Sequence, residues 1–334
     1  MKAPSRESRY HTDDLENRTL TDYAKRFARL NTDRSRPRSA TISNQAPHKP
    51  FLLLSIIDLF EQGEMSSNLI SLTPDLRDLF ARYWARIMPP DVPGDLTFPF
   101  FHLRSEGFWH FSPKSGKEGE LDSRLKVRDN ADGAYLDTAL YELLRLREPR
   151  ELLRSVLIET YFVPEARDAL ISQGTVNNEA YRYSEKLLKQ NTEQAVREAL
   201  KLEETYRPVR EQGFRRAVVT AYLHCCALCE IRVQTIYGHT VVEAAHIKPW
   251  SVSHDDRPAN GMALCRTCHW TFDEGLVRIS PSYMIFTSAQ LEGANNLPGY
   301  LTNLKGRRII LPSVEAYWPD SNSLKWHQKE IFRH

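Results

Sequence analysis

The sequence has no long hydrophobic run. Its most apolar stretch, FLLLSIIDLF at 51–60, is broken by Ser55 and Asp58, and it is only about half as long as a bilayer crossing requires. The opening MKAPSRESRYHTDDLENRT has no apolar segment of the kind a secretory leader carries. These two absences predict a cytoplasmic protein with no membrane partner. Neither charge sign is in excess: 45 Lys and Arg against 43 Asp and Glu leave a net charge of +2, so bulk charge selects no partner. Internal repeats and low-complexity tracts are missing as well. Cysteine is scarce, and its five copies all fall between 225 and 268. A disulfide framework would spread them along the chain, whereas clustering without a leader points to metal.

What is there has the balance of a folded protein: 334 residues, 41% hydrophobic and 26% charged. That length has room for two domains or three. Residues 1–50 carry eleven Lys and Arg against six Asp and Glu, including RSRPR at 34–38. A basic arm of that kind can lie along phosphates, or simply be solvated. LTDYAKRFARLN (20–31) and PDLRDLFARYWARIM (74–88) show helical spacing. FLLLSIIDLFEQG is apolar on most faces and reads as a buried helix ending at Gly63. The segment FHLRSEGFWHF (101–111) reads as a hairpin turning at Glu-Gly. Helical periodicity returns over 134–162 and 178–205, and FRRAVVTAYLHC (214–225) is a short helix leading into the cysteines.

Cys226-Ala-Leu-Cys229 and Cys265-Arg-Thr-Cys268 form two CxxC pairs separated by 35 residues. Two such knuckles close a tetrahedral Zn²⁺ site, and four protein thiolates leave no open position, so this zinc is expected to be structural. Binding there would pin both ends of a segment too long to order itself. Cys225 is left over, as a small buried hydrophobe. Inside the frame, TVVEAAHIKPW (240–250) reads as a strand with His246 near its end. NGMALCRTCHWTFDEGL (260–276) begins with an Asn-Gly turn and enters a helix that sets His269 and Asp273 on one face.

With CALC, EAAHIKP and NGMALCRTCHWTFDEGL in that order, residues 214–276 resemble the HNH nucleases of the ββα-metal fold. The EAAHIKPW and FDEGL flanks look like the restriction-type branch. The resemblance implies that His246 is the general base, that Asn260 orients the loop through backbone bonds, and that His269 binds a catalytic Mg²⁺ or Mn²⁺. An unperturbed imidazole suits the base role near neutral pH. Many relatives carry an acidic metal ligand directly before the base, where this chain has Ala245. Glu243 and Asp273 are the candidates to replace it, with Glu243 ranked first because it shares a strand face with Ala245.

Upstream, APHKPFLLL (46–54) and FPFFHLRSEGFWHF (98–111) resemble the sulfur-binding domain of phosphorothioate-dependent restriction endonucleases, over about 20–160. A phosphorothioate replaces one oxygen by a larger, more weakly hydrated sulfur, so its reader needs an apolar cup. The resemblance places His48, Lys49, Phe98, Pro99 and His102 around that cup and Arg124, or Arg128, on the DNA backbone. Relatives often have Arg where this chain has Lys49, and Lys lacks the bidentate fork.

The expected fold is α+β: a flexible basic arm (1–19), a mostly helical DNA-recognition domain (20–165), a helical linker (166–210) and a zinc-stabilised HNH domain (211–334). The expected activity is metal-dependent hydrolysis of double-stranded, modified DNA, leaving 5′-phosphate and 3′-hydroxyl ends as the resemblance implies. Cutting both strands would take a homodimer or two binding events, because one HNH site cuts one strand at a time. The alternatives are a non-enzymatic DNA-binding protein with a degenerate HNH fold, and an HNH nuclease for another modified or unmodified DNA.

Overall fold

The computed structural model describes residues 18–32, 45–117, 119–189, 206–235, 239–291 and 299–333. The RSRPR stretch, nearly all of the basic arm and the 190–205 part of the expected linker lie outside them. The chain divides into two compact units, Met1–Asn178 with Ile236–His239, and Glu179–Thr235 with Thr240–His334. Among the described residues, no helix is long and apolar enough to cross a membrane.

The first unit is mostly helical. Helix α1 (18–27) contributes Tyr23 and Phe27 to the core. α2 (His48–Gln62) is buried from Lys49 through Phe60, as its all-round apolar sequence predicts, and Gly63 ends it at φ 76°. That left-handed cap is cheap only for glycine. α3 (Pro74–Ile87) begins at Thr73, whose side chain accepts from the Leu76 amide, and it buries one face. α6 (Thr138–Arg145), α7 (Arg147–Tyr161) and the first part of the long α8 (Pro164–Lys189), whose residues from Glu179 onward belong to the second unit, follow.

The expected hairpin at 101–111 is only half present. Residues Thr97–His102 form helix α4, and Leu103–Glu106 continue it as a tighter turn. Leu96, Phe100 and Leu103 are spaced to fall on one buried helical face. That burial outweighs the strand preference of the aromatics. Gly107, at φ 76°, then redirects the chain into β1 (Trp109–Pro113). β1 pairs antiparallel with β2 (Ala131–Leu136), Trp109 facing Leu136, and α5 (Arg124–Asn130) lies between the two strands in sequence.

The second unit is built on helix α9 (Arg207–Ala221), which starts earlier than its apolar pattern suggests because Pro208 fits the first turn. β3 (Val242–His246), which the short helix α10 (Trp250–Ser253) follows, pairs antiparallel with β4 (Gly261–Cys265), Val242 facing Cys265 and His246 facing Gly261. Helix α11 (Arg266–Asp273) follows β4 directly, which completes a strand–strand–helix unit. Every residue of β4 is buried. β5 (Val277–Ile279), β6 (Ile285–Thr287) and α12 (Ser321–Glu330) close the core around Phe272, Ile279 and Leu324.

Gly261 was expected in a turn, but it is extended at φ −135° and opens β4. Its lack of a side chain has another cause. A Cβ there would stand 2.6 Å from Val218 and 2.9 Å from Phe214, so glycine lets α9 lie directly on the strand. Gly213 does the same on the other side of α9, where a Cβ would meet Tyr183 at 2.5 Å.

Candidate active site and metal centre

The four-cysteine frame is assembled by three elements. Leu223 and His224, both in the left-handed region, stop α9 and turn the chain into the first knuckle. The Ala227 amide then donates to the Ala263 carbonyl at 2.8 Å, which docks the knuckle on β4. The second knuckle runs from the end of β4 into α11. As a result the sulfurs of Cys226, Cys229, Cys265 and Cys268 all lie within 4.8 Å of one another, and those of Cys229 and Cys265 are 3.7 Å apart. Tetrahedral Zn–S bonds of about 2.3 Å require sulfur separations of roughly 3.8 Å, so the donor set fits zinc. Cys225 stays outside the cluster and donates to the Glu230 carbonyl at 3.2 Å.

His246 stands at the end of β3. Its cross-strand partner is Gly261, and its ring stacks on Phe214 at 3.8 Å with 9° between the planes. Its Nε2 is 2.7 Å from Oδ1 of the fully buried Asp256. Asn260 is also fully buried. Its Oδ1 accepts from the Lys248 amide at 3.0 Å, and its Nδ2 donates to the carbonyls of Lys248 and Asp255, both at 2.9 Å. One side chain therefore ties both ends of the 248–255 loop, bonding backbone groups as the resemblance implies.

His269 lies between the two candidate acids. Its Nδ1 is 3.4 Å from Glu243 Oε2, and its Nε2 is 3.4 Å from Asp273 Oδ2. The two acids thus meet opposite nitrogens of one ring. Glu243 also takes Arg266 at 3.3 Å. A cleft of about 380 Å³ is lined by His246, His269 and Asp273 together with Phe272, His327 and Ile331, but not by Glu243. Burial raises the Asp273 pKa, and the nearby Glu274 adds to this while His269 opposes it. A larger groove of about 810 Å³ also borders His246. Arg207, Arg210, Arg215 and His254 line it, with Trp250 and a single acid, Glu211.

Several residues of this site carry no signal in the sequence. HDDRPANG offers two adjacent acids, and only the fold separates them: Asp255 pairs with Arg257 at 2.7 Å, while Asp256 turns inward to His246. His327 is distant in sequence, yet its ring stacks on Phe272 at 3.7 Å and its Nε2 donates to the Phe272 carbonyl at 2.9 Å.

In the first unit, the residues expected to read DNA gather around Phe98, which is 38% exposed. Its ring is 5.5 Å from that of His48 and 4.4 Å from that of His102, and the Arg124 guanidinium lies 5.6 Å from it. Arg124 is also paired with Asp95 at 3.0 Å. Pro99 is buried beneath this cluster in α4. Burial, followed by Lys49, Arg124 and Arg104, lowers the His102 pKa, which favours its neutral form. Lys49 turns away from the surface: its buried ammonium pairs with Glu106 and donates to Ser105 Oγ at 3.1 Å and the Asn31 carbonyl at 2.8 Å. Arg128 is paired with its neighbour Asp129 at 2.7 Å.

Comparison with known proteins agrees with this division. Residues 226–280 match the HNH endonuclease family, so the second unit carries an HNH endonuclease domain. Residues 21–177 match the ScoMcrA-like DNA sulfur-binding domain. Among solved structures, a modification-dependent TagI restriction endonuclease is similar at 22% identity, over 38% of this chain and 40% of its own, with a TM-score of 0.28. The chain thus spans 40% of that protein's length. No curated protein matches the sequence.

Proposed function

We propose that the protein is a metal-dependent DNA endonuclease that acts on modified double-stranded DNA, with phosphorothioate as the mark. The observation that carries the nuclease reading is the convergence of His246, His269 and Asp273 on one cleft inside the segment that matches HNH endonucleases. His246 takes the proton of the attacking water. Asn260 holds the loop that shapes the cleft.

His269 and Asp273 would hold a divalent Mg²⁺ or Mn²⁺. Cis ligands of an octahedral ion with bonds of about 2.1 Å stand about 3 Å apart, close to the 3.4 Å between His269 Nε2 and Asp273 Oδ2. Of the two candidate acids, Asp273 is preferred because it shares the cleft with His246. When bound, the ion polarises the scissile phosphate and stabilises the leaving 3′ oxygen. The groove bearing Arg207 and Arg215 is suited to carry the neighbouring phosphates.

For the mark, the half-exposed Phe98 with His48, Pro99 and a neutral His102 offers an apolar cup with few donors, as sulfur requires. Arg124 at its rim supplies the backbone contact. Lys49 supports this cup from beneath, through its pairing with Glu106.

The test is cleavage of paired duplexes that differ by one phosphorothioate, with Mg²⁺, with Mn²⁺ and with EDTA. Metal-dependent cutting of the sulfur-bearing duplex alone is expected. Equal cutting of both duplexes would remove the sulfur reader and leave the nuclease. Tight binding without cutting in any metal would instead favour a non-enzymatic DNA-binding protein.

A further inference from the structure

We infer that Asp256 is the positioning residue for His246, and that Tyr183 and Arg210 hold it in place. The inference rests on the nuclease reading above and adds a device to it. Asp256 is completely buried and directly follows Asp255, whose carbonyl Asn260 ties down. Its Oδ1 meets His246 Nε2 at 2.7 Å, its Oδ2 accepts from the Tyr183 hydroxyl at 3.0 Å, and Arg210 Nη1 reaches both oxygens at 3.2 Å. α8, α9, β3 and the loop each contribute one member. A buried carboxylate of this kind needs several donors to be tolerated at all, and here it has three.

The arrangement settles which imidazole nitrogen can do chemistry. Oδ1 is an acceptor, so Nε2 must carry the proton. Nδ1 is then left with its lone pair, and it is the atom that receives the proton of the attacking water. The hydroxide so formed bonds to phosphorus, the bond to the 3′ oxygen breaks, and that oxygen leaves with the electron pair.

Arg210 already balances the carboxylate charge, so His246 meets Asp256 as a hydrogen-bond donor. Stacking on Phe214 fixes the ring plane, and the bond to Asp256 fixes the rotation within that plane. Together these restrain both degrees of freedom that a general base must have settled before substrate arrives. Arg210 also lies 4.1 Å from the Trp250 ring, which ties the network to the wall of the basic groove.

The experiment is Asp256→Asn in the full-length, zinc-loaded protein. Two things are read: the kcat and KM of cleavage, and the ¹⁵N signature of the His246 ring. An amide can present either an oxygen or an NH₂ to Nε2, so the single Nε2–H tautomer of the parent should give way to a mixture. A fall in kcat of roughly 100-fold is expected, with KM for the duplex within about threefold. A folded Asp256→Asn protein with parental kcat, or with an unchanged tautomer, would overturn the inference. So would a loss confined to KM.

If Asp256→Asn fails to fold because Arg210 is left without its partner, Tyr183→Phe takes its place. It removes one donor and no charge, and kcat should fall about 3- to 10-fold at constant KM; an unchanged kcat would overturn the inference. A parent protein that cuts no duplex would strike the nuclease reading instead. The tautomer comparison would still decide whether Asp256 sets the state of His246.

Discussion

His327 shows what one buried side chain does to the pH dependence of the whole molecule. It is 3% exposed, and burial pushes its pKa down to about 4, against which the bond to the Phe272 carbonyl acts only in part. The folded protein therefore keeps the ring neutral, while the unfolded chain takes up a proton as pH falls through its ordinary value of about 6.5. The stability contributed by the neutral ring is fully present above about pH 6.5 and is lost as pH falls toward 4. The loss reaches about 3 kcal/mol at most. His327→Gln can keep the donor to Phe272 but cannot titrate. Urea unfolding at pH 7 and pH 4.5 should then show a smaller acid loss in the variant than in the parent. Equal losses in both would show that His327 does not carry the effect. Nothing in the sequence marks His327 this way. By contrast, His246, Asn260 and His269 stood out in the sequence as candidates, because the first two lie between the two CxxC pairs and the third directly follows the second pair.

At the scale of elements, the first unit is tied by a buried charge. Asp58 on α2 receives Arg154 of α7 at 2.6 Å, Tyr83 of α3 at 2.9 Å and Asn177 of α8 at 2.8 Å. Burial raises the Asp58 pKa, and Arg154 is the chief group opposing that. Arg154→Met should strand the carboxylate and cost about 3–5 kcal/mol in denaturant unfolding. Adding Asp58→Leu should restore most of it; if the double variant is as unstable as the single one, the loss lies in packing and not in charge. The sequence showed α2 as a buried helix with Asp58 as an interruption. It could not show the partners, which lie on three other helices. The misread hairpin has the same origin. FPFFHLRSEGFWHF is rich in strand-forming aromatics, and the choice of helix for its first half depends on a buried face that exists only after α2 is in place. Strand β1 was legible, but its partner, beyond α5, was not.

At the scale of the molecule, each unit has its own core, and only the second has the four-cysteine cluster. Removing a metal held by that cluster should therefore act on one unit alone. Calorimetry with a strong chelator, or on Cys268→Ser, should show the transition of the HNH-bearing unit falling by roughly 10 °C or more. The transition of the helical unit should stay in place. A common downward shift of both would mean that they unfold as one. The near-neutral total charge concealed a local feature of the same kind. The groove beside His246 gathers Arg207, Arg210 and Arg215 against Glu211, although the chain as a whole is almost balanced.

Asn260 and Gly261 have one more consequence. In a loose chain, an Asn-Gly pair is the dipeptide most prone to chemical ageing, because the glycine nitrogen can close on the asparagine side chain and expel ammonia. Here the Gly261 amide is engaged by the Pro258 carbonyl, the Asn260 amide group is held at both ends, and the backbone continues straight into a strand. The folded protein thus shields its own weakest bond. Each episode of unfolding exposes that bond, so the years a molecule stays intact are set by how rarely it opens.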